Sequence, residues 1–203
     1  NNGGTGTTGG RALTAGSGTN TAGGFYSFGA ADDSDRALGS LGSASFQSGS
    51  RILRLRNNTH APITGVVEFR WFVEQWRASA STADIQGFDY SFQSGSYMLD
   101  TTDGLAGLGT GIWSRNNLNV YTVGGAPVDT TVAGGTYEAD LGVQPISHNV
   151  SAQVLGSGAA VDGNTFRAVR AGQITMANWA PGSDLLLRWT ETDTSGSDQG
   201  FAI

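Results

Sequence analysis

The stretch from Gly65 to Arg77 constrains the fold of this chain more than any other part of the sequence. Its large side chains recur at every second position, which is the period of an extended strand, whereas a helix repeats every third or fourth residue. The two alternating sets are Val67, Phe69, Trp71 and Val73, and Glu68, Arg70, Phe72, Glu74 and Trp76. Because both sets carry large side chains, we predict that this strand lies centrally in its sheet.

Further segments with strand character, separated by turn residues, extend the prediction along the chain. The glycine content, 32 residues, and the abundant serine and threonine suit short strands joined by turns rather than long helices. We therefore predict an all-β fold, a jelly-roll-like antiparallel β-sandwich of about 8–10 strands. The segments are residues 51–56, 85–92, 118–123, 148–155, 165–176 and 184–192.

Composition divides the chain into a lead-in and one domain. Residues 1–24 are nearly all glycine, threonine, asparagine, serine and alanine, so we predict a flexible lead-in there. Residues 25–203 form a single β-sandwich domain in this prediction, with a long insertion around residues 94–140.

The charged and sulfur-containing residues exclude several classes of function. All 11 basic residues are arginine and the formal net charge is -6. This balance opposes binding to nucleic acid, because phosphate contacts need clustered cations. The chain has no cysteine, which excludes thiolate metal sites and cysteine nucleophiles. No apolar run approaches the roughly 18 residues of a membrane span, so we expect no membrane insertion.

Five short motifs stand in order along the chain: Tyr26–Gly29, Asp35–Ser40, Glu74–Arg77, Leu187–Trp189 and Gly196–Ile203. Together they resemble a bacterial exoprotein domain found in large secreted proteins, some with C-terminal sorting signals and some beside nuclease or lamin-tail-like domains. The resemblance covers residues 25–203. It implies a jelly-roll fold, an extracellular or cell-surface location and a module without an established catalytic activity. Relatives of this kind carry a further strand at each end, so we expect these residues to belong to a longer polypeptide.

Groups that could perform catalysis are sparse in the sequence. A nucleophilic serine needs a histidine as its base, and the two histidines, His60 and His148, lie in segments typical of a turn and an edge strand. No Gly-x-Ser-x-Gly motif, phosphate-binding loop or His-x-x-x-His pair is present. We therefore predict that the chain is not an enzyme and requires no cofactor.

Two acidic turns form a candidate calcium site. Calcium prefers several oxygen ligands, and the two turns could meet at one end of a jelly roll. Ordinary solvated turns are the alternative. The candidate ligands are Asp32, Asp33, Asp35, Asp193 and Asp198.

An aromatic platform is a second candidate site. Arg70, Phe72 and Trp76 share one strand face, where flat rings could stack on sugars while arginine binds their hydroxyl groups. The alternative is a second core layer in which Glu74 pairs with arginine. Trp113 and Tyr121 in the insertion are further candidate ring residues.

The predicted function follows from the platform and the resemblance. We predict a non-catalytic extracellular module that binds carbohydrate or another surface polymer, or mediates adhesion. The alternative function is a structural subunit of an extracellular assembly, such as a filament or surface layer, whose neighbours pair through sheet edges.

Overall fold

A computed structural model describes residues 13–78, 85–93, 118–122, 127–129, 138–140, 158–192 and 200–203. These residues form strands, turns and irregular segments, and no helix occurs among them. They accordingly contain no helix of the length and apolar character that crossing a membrane requires. The all-β class predicted from the sequence is confirmed for this part of the chain.

Twelve strands occur in the described residues, and they belong to two sheets. In chain order they are β1 (Thr14–Gly16), β2 (Gly24–Phe28), β3 (Ala37–Leu41), β4 (Ser48–Arg56), β5 (Ile63–Arg77), β6 (Ile85–Gln93), β7 (Leu118–Thr122), β8 (Pro127–Asp129), β9 (Glu138–Asp140), β10 (Arg167–Trp179), β11 (Asp184–Thr192) and β12 (Gly200–Ala202). The large sheet has the order β1-β2-β3-β12-β5-β10-β7-β8, and the small sheet has the order β4-β11-β6-β9. The described pairs are antiparallel apart from β1 and β2, which are parallel.

The long strands β5 and β10 pair over most of their length and lie inside the large sheet. The alternation predicted for β5 is present in the structure. Val73 is buried, and Val67, Phe69 and Trp71 pack against the same core. The intervening residues Glu68, Arg70 and Phe72 are exposed. The prediction of a strand inside its sheet is therefore confirmed.

Side chains from both sheets meet in one core, so the fold is sandwich-like. Across this core Trp71 and Trp189 meet edge to face with ring centroids 5.7 Å apart, an arrangement that the ring quadrupoles favour. Burial of this apolar surface is the main term that stabilises the two-layer arrangement. The buried members are Val73, Ile174, Met176, Trp179 and Phe201 from the large sheet, and Tyr90, Leu185, Leu187 and Trp189 from the small sheet.

A second apolar cluster lies on the outer face of the large sheet, the face turned away from the small sheet. Burial raises the pKa of the Tyr26 hydroxyl in this cluster, and the nearby Arg77 charge lowers it in part. The buried members are Tyr26, Phe28, Leu41, Trp76 and Ala202.

Strand β1 pairs with β2 through Thr14 opposite Tyr26 and Gly16 opposite Phe28. Part of the predicted lead-in, residues 1–24, therefore takes part in the large sheet. Most of the strands predicted from periodicity correspond to β4, β5, β6, β7, β10 and β11. The predicted strand at residues 148–155 lies outside the described residues, as does most of the insertion at 94–140.

Candidate functional site

Trp76, the largest side chain of the predicted platform, is buried. It is 2% exposed, and its ring stacks on Phe28 with centroids 6.1 Å apart and planes 6° apart. The indole Nε1 donates a hydrogen bond of 3.0 Å to Glu74 Oε2. A ring covered in this way cannot stack on a sugar, so the structure places Trp76 in a second core layer and not on a platform.

Two glycines allow the chain to cover Trp76. A Cβ atom at Gly163 would lie 2.2 Å from the indole Nε1, and one at Gly18 would lie 1.8 Å from the backbone oxygen of Trp76. Val161 N also donates a hydrogen bond of 3.0 Å to that oxygen. Alternation along β5 places Trp76 on the outer face. Trp76 is buried there because the segments around Gly18 and Gly163 cover it.

The other two platform residues on β5, Arg70 and Phe72, are exposed on the outer face. Phe72 is 47% exposed, and the Arg167 guanidinium carbon lies 4.9 Å from the centre of its ring. Glu68 accepts hydrogen bonds from Arg70 Nε, 2.8 Å from Oε1, and from Gln173 Nε2, 3.0 Å from Oε2. We call these five residues the outer-face platform. It combines an accessible aromatic ring with guanidinium, carboxylate and amide groups.

Tyr121, predicted as a further ring residue, lies in β7 of the large sheet, level with Arg70 of β5. Its backbone pairs with Ala171 of β10, which pairs in turn with Arg70 of β5. The register therefore places Tyr121 and Arg70 side by side in the sheet, with one strand, β10, between them. Sequence periodicity gave no sign of this juxtaposition, nor of the contribution of Arg167 and Gln173, because both depend on the pairing of β5 with β10.

The remaining predicted site residues are not brought together in the described part of the chain. Asp32, Asp33 and Asp35 lie in one exposed turn, in which Asp33 Oδ1 accepts a hydrogen bond of 2.9 Å from the Asp35 backbone. No cluster of three or more metal-ligating side chains occurs among the residues that the structure describes. Trp113, Asp193 and Asp198 lie outside those residues, and the calcium site stays a prediction.

A separate apolar cavity of about 410 Å³ opens between the two sheets, beyond the end of β12. On the large sheet its wall includes Phe69 and Trp71 of β5, and on the small sheet it includes Leu53 of β4. Leu38 and Ile203, whose backbones exchange two hydrogen bonds, lie at its end. We call this cavity the notch. Side-chain periodicity does not reveal it, because it depends on how the two sheets lie against each other.

Arg51 of β4 is buried at the wall of the notch. Its Nη1 donates hydrogen bonds of 2.8 Å to Ser40 Oγ and 3.3 Å to the backbone oxygen of Phe201. These bonds connect the small sheet to β3 and β12 of the large sheet. They show that β4 lies across from those two strands.

Comparison with protein-family models, with curated proteins and with solved structures found no match to this chain.

Proposed function

We propose that this chain is a non-catalytic, jelly-roll module of an extracellular or cell-surface protein, and that it binds a carbohydrate or another surface polymer on the outer-face platform. The observation that carries the proposal is the Phe72 ring, which is about half exposed on the outer sheet face and bordered by hydrogen-bonding groups. Isolated exposed apolar residues are common on protein surfaces. It is the combination with the polar groups that supports a binding role.

The chemistry of the platform suits a sugar. A pyranose ring has an apolar face of C–H groups that packs on an aromatic ring, and hydroxyl groups that bind to charged and amide side chains. Arg70, Glu68 and Gln173 already hold one another in place. Less side-chain freedom is therefore lost when a ligand binds.

Arg167 adds a specific feature to this surface. Its guanidinium group lies over Phe72, an exposed contact that contributes about 0.5–1 kcal/mol. A sugar that stacks on the same ring face replaces this group, which can then bind a hydroxyl or an acidic substituent of the polymer.

The test is retention of the purified chain on a glycan array, followed by affinity electrophoresis in gels that contain the polysaccharides retained. We expect Phe72→Ala and Arg70→Ala each to weaken binding at least tenfold, about 1.4 kcal/mol. Phe92→Ala is the matched control, because it removes a part-exposed ring from the small sheet. Equal retention of all three variants contradicts the proposal. Large concentration-dependent particles without glycan affinity would instead favour the structural-subunit function.

A further inference from the structure

Arg167 places its charge over an aromatic ring, although an acidic residue faces it in the sheet. As the first residue of β10, it pairs with Glu74 of β5. Its exposed side chain nevertheless reaches Phe72, two residues earlier on the same face of β5, and the guanidinium carbon lies 4.9 Å from the centre of that ring. A ligand that packs on Phe72 therefore comes into contact with a cation.

The carboxylates on this face of β5 are engaged by other groups. Glu74, opposite Arg167, is 8% exposed, and its Oε2 accepts the hydrogen bond of the Trp76 indole. Glu68, further along the strand, forms an ion pair with Arg70 at 2.8 Å. Among the residues that the structure describes, no carboxylate forms an ion pair with Arg167. Its guanidinium group is therefore available to an acidic ligand.

The chemistry of the ligand decides what replaces the contact between Arg167 and Phe72. A neutral sugar that stacks on the ring displaces the guanidinium group and offers it only hydroxyl groups. A sugar acid offers a carboxylate, whose two oxygens match the paired N–H groups of a guanidinium. Charge-assisted hydrogen bonds of this kind are about twice as strong as neutral ones. A carboxylate therefore compensates for the lost ring contact better than a hydroxyl does.

We propose that the polymer bound on the outer-face platform is acidic, and that Arg167 binds the carboxylate of a uronic acid whose ring stacks on Phe72. This inference rests on the proposed function and names the class of polymer. The chain as a whole has a net charge of -6, which repels polyanions at long range. At about 0.15 M salt, charges more than about 8 Å apart are largely screened, so the direct contact with Arg167 outweighs that repulsion.

The test compares uronic acid polymers with their carboxyl-reduced forms on the unmodified chain. The probes are polygalacturonate, alginate and hyaluronan, and reduction turns each uronic acid into a neutral sugar with the same linkage. Isothermal titration calorimetry at about 0.15 M salt measures Kd for both forms. We expect at least one acidic polymer to bind about tenfold more tightly than its reduced form. Because only the ligand changes, this result does not depend on the stability of a variant.

Two arginine variants separate a local contact from the net charge. Arg167→Gln should reduce the preference for the acidic form to less than about threefold, since an amide carries no charge to pair with the carboxylate. Arg56→Gln is the matched control, because it removes the same charge from an exposed arginine at the end of β4 in the small sheet. It should keep the full preference. Circular dichroism and the melting temperature show whether both variants fold.

The outcomes distinguish this inference from the proposed function. Equal binding of acidic and reduced forms, with both lost in Phe72→Ala, overturns the inference and supports the platform as a binding site for neutral sugars. A preference that survives in Arg167→Gln, or that both arginine variants lose equally, overturns it as well. No binding of any polymer, acidic or neutral, overturns the proposed function and this inference together.

Discussion

Asn57 holds the loop between β4 and β5 through four hydrogen bonds of a buried side chain. Its Nδ2 donates to the backbone oxygens of Trp179, at 2.7 Å, and Ala61, at 3.1 Å. Its Oδ1 accepts from the backbone nitrogen of Thr59, at 2.9 Å, and from the Thr59 hydroxyl, at 2.7 Å. Every polar atom of the amide is therefore bonded, which is what makes its burial favourable.

Removal of this amide should be costly. We expect Asn57→Ala to lower the free energy of unfolding by about 3 kcal/mol, because it leaves buried groups such as the Trp179 carbonyl without their donor. Asn58→Ala, one residue along and exposed, should change it by less than about 0.5 kcal/mol. Urea unfolding followed by tryptophan fluorescence measures both. Equal destabilisation by the two variants would show that the hydrogen bonds of Asn57 are not the cause.

Single elements differ in how far the sequence predicts them. Strands β5 and β11 are long and carry large alternating side chains, so their existence and the division of their side chains between two faces follow from periodicity alone. Strands β1 and β12 have three residues each, too few for a period to be recognised. The place of β12 in the sheet is set by pairing with β3 and β5, which lie far away in the chain.

Sequence-based prediction of the platform residues has the same limit. Periodicity correctly groups Arg70, Phe72 and Trp76 on one face of β5, but it does not say what covers that face. Phe72 stays exposed, whereas Trp76 is covered by residues about 85 positions later, around Gly163. A strand face can thus be predicted from local sequence, and its accessibility cannot.

The contact between Gly163 and Trp76 gives a prediction for this element. We expect Gly163→Ala to destabilise the fold by about 1–3 kcal/mol, because the added methyl group overlaps the indole and the segment must move away. Gly24→Ala is the matched control, since a Cβ there meets no atom within 4 Å. Thermal unfolding followed by circular dichroism compares them. A melting temperature for Gly163→Ala equal to that of the control would contradict this packing.

At the scale of the whole molecule, β12 connects two parts of the large sheet. It pairs with β3 on one side and with β5 on the other. Phe201 in its centre is fully buried in the core that both sheets share. One short strand therefore joins β1–β3 to the β5–β10 pair.

Because β12 joins these strands, replacing one of its side chains should lower the stability of both sheets. Phe201→Ala should lower the free energy of unfolding by about 3–5 kcal/mol, since a large ring is removed from a closed core. Phe72→Ala removes the same ring from an exposed site and should cost far less. In Phe201→Ala both sheets should unfold together, at a lower denaturant concentration than in the unmodified chain. Separate transitions by circular dichroism and tryptophan fluorescence would show that β12 does not couple them.

The position of β12 in the chain has a consequence for biosynthesis. The large sheet cannot be completed until residues 200–202 have been synthesised, because they lie between strands made much earlier. Until then a nascent chain exposes the apolar faces of β2, β3 and β5, and surfaces of this kind are prone to aggregate.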